Sequence, residues 1–197
     1  MADLVEECPP MTESRRHGGL DPIAAPLFRE AMSRIAAAVH VVTTDGPAGR
    51  AGATMTAVAS VSDAPPTLLV CLNRAGRTGG ILIANGVFCV NTLSDGDERL
   101  AGVFAGVGDL APSERFAAAV WRRGISGAPR LDGARAALEC RVTEAREVGS
   151  HQVIFGEVVA VTIAEPSPAL VYLDRDYRSV DGVSARSPAG RPVLSRR

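Results

Sequence analysis

The sequence predicts a mainly β protein with short helices, folded as an antiparallel barrel. Three observations carry this. Runs rich in Val, Leu, Ile and Thr recur through the chain, separated by Gly, Pro, Asp and Asn turn signals. The helical stretches between them are few and short. No G-x-G-x-x-G follows a strand-like run, as a doubly wound dinucleotide-binding sheet would require.

The elements follow in order. After Pro26, the residues Leu27, Phe28, Met32, Ile35, Ala36 and Val39 recur at helical spacing and predict one amphipathic helix. Strand-like runs follow at 39–44, 51–61, 67–72 and 87–93. Asp45-Gly46-Pro47-Ala48-Gly49 is a turn signal that makes the first two a hairpin. Short helices are expected at 78–85 and 97–105. The stretch 112–123, with Phe116 and the single tryptophan, Trp121, reads as helix and then loop.

Two long runs, 136–147 and 152–164, meet at Val148-Gly149-Ser150-His151. In the second, Val153, Phe155, Val159 and Val161 share one face, and Ile154, Val158 and Ala160 share the other. A strand apolar on both faces fits a barrel that also packs against a helix or another subunit. A last strand is expected at 170–173. The ends lack periodicity, so residues 1–21 and 181–197 read as flexible tails around one domain at 22–180.

Composition narrows the function. An apolar content of 46% across 197 residues fills a core, and with aromatics at only 4% the aliphatic residues must pack it. A net charge of −1 leaves no basic stripe for nucleic acid. All 21 basic residues are arginine, which excludes a Schiff-base lysine and a Walker-type phosphate lysine. Cys8, Cys71, Cys89 and Cys140 are too scattered for a zinc knuckle or redox dithiol, and the last three sit in apolar runs as small buried hydrophobes. With no apolar signal core at the start and no apolar run of membrane length, the chain is expected to be soluble and cytoplasmic.

Three segments could carry chemistry. Ala53-Thr54-Met55-Thr56-Ala57-Val58-Ala59-Ser60-Val61-Ser62 alternates small and hydroxyl residues, which lets a flat ligand lie against backbone while hydroxyls bond phosphate oxygens. A solvated strand face accounts for the same pattern. Leu72-Asn73-Arg74-Ala75-Gly76-Arg77-Thr78 leads into a helix, where a guanidinium and free N–H groups suit phosphate; an ordinary loop with Thr78 as cap is the alternative. His151, at the start of a strand, could bond a ligand carbonyl or amide, or be a solvated turn residue. Hydrolytic triads, paired carboxylates and histidine clusters for a metal do not stand out.

These residues resemble the flavin reductase-like, FMN-binding split-barrel family. The likeness runs from Phe28-Arg29-Glu30-Ala31-Met32 to about Tyr177. Its markers include Val41-Val42-Thr43-Thr44, Thr54-x-Thr56-Ala57, Ser60-Val61-Ser62 before Pro65-Pro66, and Asn73-x-x-x-Arg77-Thr78. Phe88-Cys89-Val90-Asn91-x-Leu93, Phe104-Ala105-Gly106, Arg115-Phe116 and Gly149-x-His151 continue it. The resemblance implies an antiparallel split β-barrel, a homodimer with FMN at its interface, and NADH as the reductant. Thr54, Met55, Thr56 and Ala57 would then contact the isoalloxazine, and Ser60, Ser62, Arg77 and Thr78 the phosphate. Val61, Leu72 and Asn73 would lie alongside. His151 and Tyr177 would stand near the nicotinamide, with Phe104 in a loop close to the flavin. Stretches 43–52 and 65–74 are similar to members that supply diffusible reduced FMN to a pyrimidine monooxygenase; paralogues serving aromatic-ring hydroxylases share much of the pattern. A barrel that holds flavin without turnover, and an oxidase of a small amine, are the other readings.

Overall fold

The computed structural model describes residues 21–108, 110–111 and 114–181, so the expected tails lie almost wholly outside them. The chain divides into two compact units, Met1–Met32 and Ser33–Arg197. Helix α1 (Ala25–Ser33) makes up most of the described part of the first, and none of its residues is buried. The helical spacing expected to continue to Val39 stops at Ser33. Ala37–Ala38 is instead a short strand, β1, and Val39 is fully buried in the second unit.

The second unit continues with β2 (His40–Thr44), β3 (Ala51–Met55), β4 (Val58–Asp63) and β5 (Pro66–Asn73). Next come α2 (Arg77–Asn85), β6 (Val87–Thr92), a 3₁₀ turn at Asp95–Asp97, α3 (Glu98–Ala105) and a second 3₁₀ turn at Glu114–Ala118. Strands β7 (Trp121–Arg123), β8 (Pro129–Leu131), β9 (Ala136–Val148), β10 (His151–Ile163), β11 (Ala169–Leu173) and β12 (Asp176–Val180) complete it. Seven strands form one sheet in the order β3-β2-β6-β9-β10-β5-β4, while β1-β11-β12 and β7-β8 form smaller sheets. Every pairing is antiparallel.

Strands β3 and β4 hold opposite edges of the seven-stranded sheet, yet only Thr56 and Ala57 join them. Flat, the edges would lie roughly 28 Å apart at the usual strand spacing. The chain from Met55 to Val58 reaches only about 10 Å. The sheet must therefore curl into a barrel left open along a β3/β4 seam. That is why 51–61, expected as one strand, is two.

Alternation divides the core. Val41 and Cys89 face a cluster with Leu93, Leu100, Phe104 and Phe116, while Val42, Phe88 and Val90 face another with Leu68, Val70, Leu82 and Ile154. Strands β2 and β6 are thus buried on both faces, which accounts for their unbroken apolar runs. Strand β10, expected to be apolar on both faces and to pack against a helix or another subunit, is covered only in part by its own chain. Ile154 and Gly156 are buried, but Val159, Val161 and Ile163 at its far end are exposed within one chain. The stretch after the second 3₁₀ turn is also no loop, since Trp121–Arg123 pairs with Pro129–Leu131.

Asn91 is one of the polar residues buried in this core. Its Nδ2 donates to the Val41 carbonyl at 3.0 Å and to Thr43 Oγ1 at 3.2 Å, and its Oδ1 accepts from the Leu131 N–H at 2.7 Å. One side chain thereby ties β6 to β2 and to β8. Asn91→Leu strands these partners away from water, at roughly 1–3 kcal/mol for each unsatisfied group. We predict a loss of about 2–3 kcal/mol in urea unfolding; an unchanged midpoint would show the bonds to be dispensable.

Candidate active site

The seam is where the candidate site forms. Strand β3 pairs only with β2, and β4 only with β5, so each leaves one row of backbone N–H and C=O groups without ladder partners. Beside that break lies a hollow of about 350 Å³ lined by residues 53–57, Cys71, Leu72, Asn73, Gly76, Thr78 and His151. A planar ligand fits such a wall because Ala53, Ala57 and Gly76 carry almost no side chain, so its edge can reach the backbone.

The polar side chains here are braced from behind. Thr54 Oγ1 donates to the Ala101 carbonyl of α3 at 2.7 Å, and Thr78 Oγ1 donates to the Gly52 carbonyl at 3.3 Å. Gly52 itself has no room for a side chain, because a Cβ there would sit 2.7 Å from the Phe104 ring. Asn73 Oδ1 accepts from the Ala75 N–H at 2.9 Å and shapes the turn into α2. Arg74 ties that turn to the β9–β10 turn through Glu147, at 2.9 Å, and the Gly149 carbonyl. His151, opposite Asn73 in the β5/β10 ladder, is thereby fixed at the rim with Nδ1 2.9 Å from Ser150 Oγ. Burial raises the pKa of the Cys71 thiol above its ordinary value.

A second hollow, of about 540 Å³, meets the first at Ala53, Gly76 and Thr78. Arg50, Arg77 and Arg115 line it, and among the described residues no acidic one does. Arg50 is held by Asp45, at 2.8 Å, and lies 5.3 Å over the Phe116 ring. Arg77 opens α2, whose N-cap, Gly76, provides no side-chain cap for the first-turn N–H groups. Among the described residues, Arg115 Nε is the buried side-chain nitrogen without a hydrogen-bond partner. A lone buried donor of this kind costs about 1–3 kcal/mol or more unless a ligand or water meets it. An elongated ligand with a flat head and an anionic end fits the two hollows together.

Most of the expected residues converge here: Thr54, Met55, Thr56, Ala57, Leu72, Asn73, Thr78 and His151 in the first hollow, Arg77 with Thr78 in the second. Ser60 and Ser62 line a separate, apolar hollow of about 330 Å³ with His40, Leu68 and Val158. Val61 is exposed at the β4 bulge between them. Phe104 stands in α3, not in a loop, and is buried 5.1 Å from the Phe116 ring and 5.5 Å from the Trp121 ring. Tyr177, on β12, packs 5.5 Å from the Tyr172 ring and lines neither hollow. The sequence reading did not single out Arg50 or Arg115 for the site. The Arg115-Phe116 pair was visible as a motif, but nothing local showed that Arg115 reaches the same hollow as Arg77.

Residues 32–181 match the flavin reductase-like domain. The chain belongs to the flavin reductase-like family. Across 169 residues it is 53% identical to the FMN reductase (NADH) RutF of Methylorubrum populi, covering 86% of this chain and 81% of that one. Among solved members of the family, it resembles BorF, the flavin reductase component of a bacterial two-component tryptophan halogenase, with a TM-score of 0.75 and 29% identity over 81% of this chain and all of that one. It is also similar to the NADH:FAD oxidoreductase of Streptomyces globisporus C-1027, solved in complex with NAD and FAD fragments, with a TM-score of 0.72 and 27% identity over 87% of this chain and all of that one. The split barrel and the flavin reductase-like assignment therefore agree with the fold expected from sequence.

Proposed function

We propose that this protein is an NADH-dependent FMN reductase that passes reduced FMN to a separate flavin monooxygenase. The observation that carries the reading is the pair of joined hollows at the seam, one walled by small residues and edge backbone, the other by three arginines. The naming of a 53% identical relative as an FMN reductase (NADH) supports it.

Hydride acceptance is the chemistry that bound flavin supplies, with nicotinamide as the hydride source. The protein's part is binding and orientation. Residues 53–57 admit a flat ring against β3 and exclude water from one of its faces. Arg77, Thr78 and the open first turn of α2 hold an anionic tail. His151, braced by Ser150 and by the turn that Arg74 fastens, stands at the rim, where it would orient the nicotinamide.

Two finer points belong to this proposal. The exposed Val161 and Ile163 of β10, 54% and 78% accessible, lie on the same strand as Val158, which lines the apolar hollow of Ser60 and Ser62. A second copy of the chain covering this face would make a homodimer and bring Ser60 and Ser62 to its interface. The partner oxygenase is a pyrimidine monooxygenase of nitrogen catabolism, as the sequence resemblance implies, and the pair would act in the cytoplasm.

The test is NADH oxidation by purified protein with and without added FMN. Oxidation that saturates with FMN is expected. Tight FMN binding without NADH loss would leave a flavin-binding barrel and sink the reductase reading. Coupling to a pyrimidine monooxygenase with uracil, against an aromatic-ring hydroxylase with its phenol, then decides the partner.

A further inference from the structure

We propose that Arg115 is the residue by which this protein tells FMN from unphosphorylated riboflavin, binding the phosphate at the arginine-lined end of the groove. The inference rests on the flavin-binding reading above. Three features of the structure carry it.

The first is the state of Arg115 itself. A guanidinium cannot lose its charge at any working pH, so it cannot escape desolvation by becoming neutral. Its Nε nonetheless lies buried with no acceptor among the described residues. A charged donor held this way is satisfied by an anion that enters the hollow beside it.

The second is convergence. Arg50, Arg77 and Arg115 come from the end of the β2–β3 turn, the start of α2 and a 3₁₀ turn, and they meet in one hollow with no carboxylate on its wall among the described residues. Asp45, which does not line the hollow, pairs with Arg50. Arg77 and Arg115 have no ion-pair partner among the described residues, and two such guanidinium groups beside a third describe a site for a dianion rather than for a neutral hydroxyl.

The third is placement. This hollow shares Ala53, Gly76 and Thr78 with the hollow suited to a flat ring, so a ring in the first leaves its side arm directed along β3 to the second. Arg77 is exposed, whereas Arg115 is half-buried and its Nε is shielded from water. A phosphate met by a desolvated donor gains more from the bond than one met by a hydrated donor, which makes Arg115 the specificity-setting member of the three.

The test measures binding without NADH: FMN and riboflavin are titrated against wild type, R115Q and R115K by quenching of flavin fluorescence. In R115Q, FMN is expected to bind about 10–100-fold more weakly while riboflavin changes less than about twofold, and R115K recovers part of the FMN loss. Unchanged FMN affinity in R115Q, or an equal loss for both flavins, overturns the proposal. If R115Q does not fold, R115K decides alone, with selective weakening of FMN in support and equal retention of both flavins against. Selective FMN binding that depends on Arg115, in a protein that oxidises no NADH, would remove the reductase reading and leave this one standing. Equal wild-type affinity for FMN and riboflavin would remove this one, whatever the turnover.

Discussion

Arg77→Ala is expected to weaken FMN binding about 10–100-fold, with the melting temperature unchanged. The side chain is exposed and has no ion-pair or hydrogen-bond partner among the described residues, so truncating it breaks no internal bond. What is lost is a charge beside the uncapped first turn of α2, where N–H groups already favour an anion. The neighbouring Arg74 would be a poor substitute for this experiment. It fastens the β9–β10 turn through Glu147 and Gly149, so its removal would disturb His151 as well. Equilibrium titration at two ionic strengths adds a second readout, because an exposed charge on a phosphate is screened by salt. The wild type should lose FMN affinity with salt more steeply than the variant. Equal affinities and equal salt slopes would take Arg77 out of the site.

The parts of the fold legible in the sequence are those with local causes. The β2–β3 hairpin follows from the turn at 45–49, and its register, with Val41 opposite Thr54 and Thr44 opposite Ala51, needs nothing from elsewhere in the chain. Helix α2 and its end were readable because Gly86 takes up the left-handed conformation that closes it. Strand β12 was not readable. It is reached through Asp174 and Arg175, both at positive φ, and a tight hairpin turn made without glycine or asparagine gives no compositional signal. The alternating charges of 174–178 then look like surface, although Tyr177 is packed against Tyr172.

The candidate site divides along the same line. Residues 54–57 and 72–78 were found because small residues, hydroxyls and an arginine before a helix have a chemical meaning even in isolation. The seam between them has none. It exists because the two edges of a seven-stranded sheet meet at Thr56 and Ala57, a property of the closed sheet and not of either segment. Arg50 and Arg115 enter the site through that closure, 65 residues apart in the chain. The likeness to flavin reductases could indicate which segments to compare. Which side chains share a hollow, and that Ser60 and Ser62 line another, came from the folded arrangement.

Acid should destabilise this protein through one histidine. His40 begins β2, its Nδ1 3.1 Å from Thr92 Oγ1, and burial lowers its pKa from 6.5 to about 4. The folded chain therefore holds His40 neutral at pH values where the unfolded chain has already protonated it. Unfolding takes up a proton between pH 6.5 and 4, so stability is fully present above the unfolded value and drains away as pH falls toward the folded one. The whole interval is worth roughly 3 kcal/mol, a large share of what holds a domain of this size together. Carboxylates also titrate toward the lower end, and their contribution is common to wild type and variant. His40→Asn isolates the histidine, since the amide can still meet Thr92 but takes up no proton. Urea midpoints measured at pH 7, 5 and 4 should fall more steeply for wild type than for H40N, with most of the difference accumulated between pH 6 and 4. Parallel curves would mean that His40 is protonated in the folded protein as readily as in the unfolded one, and that its buried place at the start of β2 carries no penalty for charge.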